Sequence, residues 1–97
     1  MKKGYWVIAW KAITDRAAVE RYVAPATDAI LANGGRVIAG GEPARVYEQG
    51  EDSRIVVVEF DTLQAAIAAY EAPDYQAPLH HLEGAAERDV RIVEGTA

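Results

Sequence analysis

The sequence predicts an α+β fold with the order strand, helix, strand, strand, helix, strand, and two observations carry most of that prediction. Tyr5 to Trp10 and Ile55 to Phe60 are short, almost unbroken apolar runs rich in aromatic and β-branched residues, the pattern of strands covered on both faces. The segments that follow them carry apolar residues at helical spacing: Val19, Tyr22, Val23, Ala26 and Ile30 in the first, Leu63, Ala66, Ile67 and Tyr70 in the second.

Alternation in the first strand sends Tyr5, Val7 and Ala9 to one side and Trp6, Ile8 and Trp10 to the other. Asp15 or Thr14 caps the first helix. Pro25 inside it predicts a kink or restart, because the ring removes the amide that would bond the Arg21 carbonyl. Asn33-Gly34-Gly35 ends the helix, glycine taking the left-handed cap. Arg36 to Ala39 is a short second strand closed by Gly40-Gly41, Glu42-Pro43 marks a bend, and Glu48 to Ser53 is an exposed loop. After the third strand, Asp61 with Gln64 reads as a capping box for the second helix. A further helical piece starts near Pro73 or Asp74, with Tyr75, Leu79, Leu82 and Ala86 on one face and Pro78 in its first turn. Val90 to Glu94 is the last strand.

The whole is one domain over residues 1–97, a ferredoxin-like βαββαβ unit with an antiparallel sheet whose first and third strands are central. Helices cover only one face of such a sheet. The second apolar face of the strands therefore predicts a homodimer. Size points the same way, since a core this small needs a supplement. The chain has no cysteine for disulfides, and its two histidines, adjacent in sequence, are too few for a structural zinc site. A net charge of -5 disfavours nucleic acid as a partner. Lys2-Lys3 and the apolar run after them imitate the start of a signal peptide, but Lys11 cuts the run short. No stretch has the length of a membrane span, so a cytoplasmic protein without membrane contact is expected.

Lys3-Gly4-Tyr5-Trp6, Gly35-Arg36 with Gly40-Gly41, Arg54 to Phe60, Ala66 with Tyr70, Pro73-Asp74-Tyr75-Gln76 and Val93-Glu94-Gly95 together resemble the domain of unknown function 1330 family. The likeness runs from Lys3 to Gly95. It implies membership of the dimeric α/β-barrel superfamily, in which two ferredoxin-like sheets face one another to close a barrel. That superfamily includes small monooxygenases needing no metal or flavin, muconolactone-type isomerases and heme-handling proteins, so the shared fold transfers no reaction. The sequence departs from the resemblance at one place: Leu82 stands before Glu83-Gly84 where the family typically has an arginine. His80 and His81 nearby offer a different polar group.

Candidate site residues follow from charge and aromatic placement. Arg54 and Glu59 border or interrupt an apolar strand, and their spacing puts them on opposite faces, so each needs its own partner. In a pocket, Arg54 would steady a carboxylate or enolate and Glu59 would accept a proton, with Tyr75 or His81 as further proton carriers. The alternative is a structural ion pair across the sheet or the dimer. Tyr5, Trp6, Tyr22, Tyr70 and His80 are the residues expected to line a ligand pocket, against a competing reading of Tyr22, Tyr70 and Tyr75 as core packing and of the histidines as solvated helix surface. No metal and no cofactor is expected. The function expected is binding of a small aromatic or enolisable metabolite, with a cofactor-independent isomerase or monooxygenase as the enzymatic form and a noncatalytic, stress-related accessory protein as the alternative.

Overall fold

The computed structural model describes residues 1–97. Its elements are β1 (Gly4–Ile13), α1 (Arg16–Ala32), β2 (Arg36–Gly41), β3 (Ile55–Phe60), α2 (Leu63–Glu71), α3 (Pro73–Gln76), a 3-10 segment (Ala77–Leu82) and β4 (Ala86–Glu94). The four strands form one antiparallel sheet in the order β2-β3-β1-β4, so the two apolar runs are indeed its centre. All the helices lie on one face of this sheet. Trp6, Ile8 and Trp10 of β1 with Val58 and Phe60 of β3 point into that helical layer and are buried.

Local chemistry sets the element ends. Asp15 caps α1 by accepting from the Ala18 N–H at 3.2 Å. The helix continues as one element through Pro25, without the restart that the missing amide suggested, because Ala26, Ala29 and Ile30 beyond it are buried and hold the second half in place. Asn33 then closes it, its side-chain amide donating to the Ala29 carbonyl and to both oxygens of Asp74. Gly34 follows at φ +87°, the left-handed position that the cap requires.

Three boundaries differ from the sequence reading. Thr62, not Asp61, caps α2, its hydroxyl accepting from the Ala65 N–H at 3.0 Å, while Asp61 is drawn into ion pairs with Arg36 and Lys3. More consequentially, β4 begins at Ala86, and β1 runs on past Lys11 to Ile13 through a register shift between Trp10 and Ala12. These two extensions pair with each other, Ala12 with Glu87 and Ile13 with Ala86, and Arg88 pairs with Trp10. Each is too polar to look like a strand alone, and the partner supplies the backbone hydrogen bonds that make it one.

The helical layer is asymmetric. Small α2 residues Ala66 and Ala69 sit tightly on the sheet, and the buried Trp6 indole N–H donates to the Ala66 carbonyl at 2.7 Å. Tyr75 of α3 is fully buried among Trp6, Tyr70 and Tyr22. By contrast α1 leans on α3 and the 3-10 segment rather than flat on β2 and β3. An open space is left beneath it.

Candidate ligand cavity between α1 and the sheet

The space under α1 is a cavity of about 700 Å³, the size class of small-molecule sites. Its floor is the helix-facing side of β1 and β3 with Ile8, Trp10 and Val56, its roof is α1 with Val19, Tyr22 and Val23, and its far wall is β2. Val23, Val37 and Ile38 around it keep about half their surface in solvent. Three arginines, Arg16, Arg54 and Arg88, line the cavity, and no aspartate, glutamate, lysine or histidine does.

Arg88 anchors the polar end. Pairing opposite Trp10 places its side chain on the helix-facing side of β4, where the guanidinium carbon lies 5.0 Å from the Trp10 ring centre and 5.2 Å from that of Tyr22. It donates to the Tyr22 hydroxyl at 3.1 Å and reaches the Tyr75 hydroxyl at 3.5 Å. The two phenols are themselves 2.6 Å apart. Burial first, then the neighbouring Tyr75, pushes the Tyr22 phenol well above its ordinary range despite the opposing pull of Arg88. Tyr22 therefore stays a neutral hydroxyl. For Arg88 itself burial disfavours the charge, but the two phenols outweigh it and hold its proton more tightly than usual. It forms no salt bridge with any carboxylate.

The residues singled out in the sequence divide among three places. Arg54 and Tyr22 line the cavity. Trp6, Tyr70 and Tyr75 fill the layer between α2, α3 and the sheet, with only the Tyr75 hydroxyl reaching the polar end of the cavity through Tyr22 and Arg88. Tyr5 and Glu59 lie on the opposite sheet face, where the Tyr5 hydroxyl donates to Glu59 at 3.2 Å and Arg36 bridges Glu59 to Asp61. Burial, followed by this carboxylate, raises the pKa of Tyr5. His80 and His81 stack on each other at 3.9 Å between ring centres, outside the cavity lining. Desolvation, then His80 and Arg21, lowers the pKa of His81. No group of three or more His, Cys, Asp or Glu side chains is placed to hold a metal ion. Leu82, at the position where the resemblance leads one to expect arginine, is buried in the core cluster.

The sequence does not single out Arg88, because the helical spacing of Leu79, Leu82 and Ala86 carries the preceding helix up to its neighbour. A signal was present: Ala86, Arg88, Val90 and Ile92 alternate with Glu87, Asp89 and Arg91 at the period of a half-covered strand.

Comparison with known proteins identifies the chain by family and by fold. Residues 3–96 match the sequence profile of the family described as "Domain of unknown function (DUF1330)". No curated protein sequence matches the chain. Among solved structures it is similar to RPA0582, a protein of unknown function from Rhodopseudomonas palustris, with a TM-score of 0.73 at 16% identity over 99% of this chain and 82% of that one. It is similar to SnoaB, a cofactor-independent oxygenase from Streptomyces nogalater, with a TM-score of 0.65 at 13% identity over 96% and 92% of the two chains. A dimeric ferredoxin-like protein of unknown function from Thermobifida fusca superposes with a TM-score of 0.63 at 16% identity over 95% and 90%. At these identities the likeness is one of fold.

Proposed function

The chain belongs to this family of unknown function, and from that premise we propose that it is a homodimeric binding protein for a small apolar organic anion, held in each subunit between α1 and the sheet. The observation that carries the reading is Arg88, a half-buried cation surrounded by an indole and two phenols in a cavity with no acidic lining residue. A cation withdrawn from water without a counter-ion is costly. Stacking on Trp10 and Tyr22 offsets part of that cost, and a bound carboxylate, enolate or phenolate offsets the rest. The apolar walls fit the remainder of such a ligand.

Dimerisation is supported by the uncovered sheet face. Tyr5, Val7, Ala9, Ile55 and Val57 point away from the helices, and no element of the chain covers them. Apposition with a second copy would bury this face symmetrically, and the Thermobifida fusca neighbour is described as dimeric.

The cavity is equipped to hold an anion rather than to create one. Tyr22 is a reluctant acid, and Glu59 and the histidines lie elsewhere. The enzymatic form of the reading, cofactor-independent oxygenation or isomerisation, is favoured by the Arg88 guanidinium itself, a cation at the polar end of an apolar cavity that can steady an oxyanion. Its substrate would have to be an enol or phenol acidic enough to arrive as its own anion.

Calorimetric titration of benzoate against benzamide tests the binding. Benzoate is expected to bind and its neutral isostere to fail, and Arg88→Met should abolish the difference. Equal binding of the two, or binding by no mono- or dicarboxylate of this size, overturns the proposal.

A further inference from the structure

The cavity's charge exceeds what one carboxylate can balance. Ala9 pairs with Ile55 in the β1–β3 ladder, and the next pair brings Trp10 opposite Arg54, with the Trp10 N–H donating to the Arg54 carbonyl at 2.9 Å. On its other side Trp10 pairs with Arg88. Residues directly opposite on neighbouring strands project to the same sheet face, so Arg54, Trp10 and Arg88 form a row across β3, β1 and β4 that faces the cavity. With strands about 4.8 Å apart, the two arginines start roughly 10 Å from each other across the indole.

Arg16 adds a third cation. It is the first residue of α1, where the helix already presents the positive end of its dipole, and the first turn contains no acidic residue. The nearest acid in sequence, Asp15, accepts from the Ala18 N–H and does not line the cavity. Elsewhere Arg36 pairs with Glu59 and Asp61 and Arg91 with Asp89, while Arg21 and Arg45 form no salt bridge; what distinguishes the cavity is that three arginines share one lining. In a protein of net charge -5, three arginines converge on one apolar cavity that excludes every carboxylate. Arg88 is half-buried while Arg16 and Arg54 reach the cavity from its exposed side, so solvent screens part of their mutual repulsion, and one carboxylate on Arg88 leaves the donors of Arg54 free for a second acidic group.

We propose that the occupant is a dianion, an apolar molecule bearing two acidic groups, one held by Arg88 and the other by Arg54 across the cavity floor. This rests on reading the cavity as an anion site and adds the number and spacing of the charges. A ring or short chain with a carboxylate at each end meets both arginines while its body lies against the apolar lining of Ile8, Val19 and Val56. Arg16, at the end of α1, contributes field to the same site without being required for contact.

Matched pairs of ligands test the assignment: benzoate with isophthalate and hexanoate with adipate, titrated calorimetrically into the wild-type protein and into Arg54→Gln. Arg54 is exposed, so its replacement is not expected to disturb folding, which an unchanged Tm would check. Each dicarboxylate is expected to bind about tenfold or more tightly than its monocarboxylate. In R54Q the dicarboxylate should fall to the affinity of the monocarboxylate. Equal affinity within both wild-type pairs, or a dicarboxylate preference that persists in R54Q, overturns the dianion and leaves the single-anion reading standing. If no member of either pair binds, both fail.

Discussion

Arg88 and Trp10 are cross-strand partners, and the Arg88 guanidinium lies over the indole at 5.0 Å while donating to the hydroxyl of Tyr22 at 3.1 Å. The contact joins the edge strand β4 to the roof of the cavity. Replacing Arg88 by methionine keeps most of the aliphatic packing and removes the cation. We expect a loss of about 1–2 kcal/mol in unfolding free energy from the missing stacking and hydrogen bonds, measured by urea denaturation, together with loss of anion binding. A variant that binds benzoate as well as the wild type would remove Arg88 from the site.

Tyr22 and Tyr75 share one short hydrogen bond in a nearly water-free setting. Tyr75→Phe strands the Tyr22 hydroxyl except for Arg88, at an expected cost of about 1–2 kcal/mol. Removing both hydroxyls should cost little more than removing one. A double-mutant cycle in urea checks this, and strictly additive losses would show that the phenols are not coupled.

Alkaline stability follows from the same pair. The folded-state pKa of Tyr22 is raised above its ordinary 10.0 by burial first. Its contribution is fully present below pH 10, where both states keep the proton. As pH rises through 10 the unfolded chain loses its proton while the folded one retains it, so stability falls by about 1.4 kcal/mol per pH unit until the folded group also ionises. Denaturant melts from pH 9 to 11.5 should show this extra slope in the wild type and a smaller one in Tyr22→Phe. Parallel curves would contradict the assignment.

Gly4 starts β1 against the first turn of α2. A Cβ there would lie 2.6 Å from the Thr62 carbonyl oxygen and 2.7 Å from the Leu63 Cα, both backbone atoms that cannot swing away. Gly4→Ala should therefore destabilise the fold by about 1–3 kcal/mol, read as a lower urea midpoint at an unchanged slope. An unaltered midpoint would mean that the α2 start yields more easily than its cap suggests.

Val57 sits at the centre of the uncovered sheet face, paired between Val7 and Ala39. Val57→Asp places a charge where the second copy is proposed to lie. Sedimentation equilibrium at micromolar concentration should show a dimer for the wild type and a monomer for the variant. A monomeric wild type would refute the proposed pairing.

The centre of this fold was readable and its margins were not. Tyr5 to Trp10 and Ile55 to Phe60 announce themselves because burial on both faces demands apolar side chains at every position. The extensions Lys11 to Ile13 and Ala86 to Asp89 pair across a separation of more than 70 residues, and the one local sign of the second, its alternation from Ala86 to Ile92, is masked by the helical spacing of Leu79, Leu82 and Ala86. Arg88 was hidden for that reason, whereas Arg54 and Tyr22 stood out, one as a charge against an apolar run and one as an aromatic on a helix face. The Asp61 capping box failed for a nearby cause. Two residues with capping side chains stand side by side, and the distant Arg36 decides between them by pairing with Asp61.

The far wall of the cavity is β2, a strand with a neighbour on one side only and two glycines at its end. Moving it breaks a single ladder of hydrogen bonds and leaves the β1–β4 pairing and the tyrosine cluster untouched. Local opening of such an edge lies low on the scale of unfolding energies, so the amides of Val37 to Gly41 should exchange with solvent well before those of Trp6 to Trp10. The wall of the cavity farthest from Arg88 is thus the part of the sheet that opens at least cost.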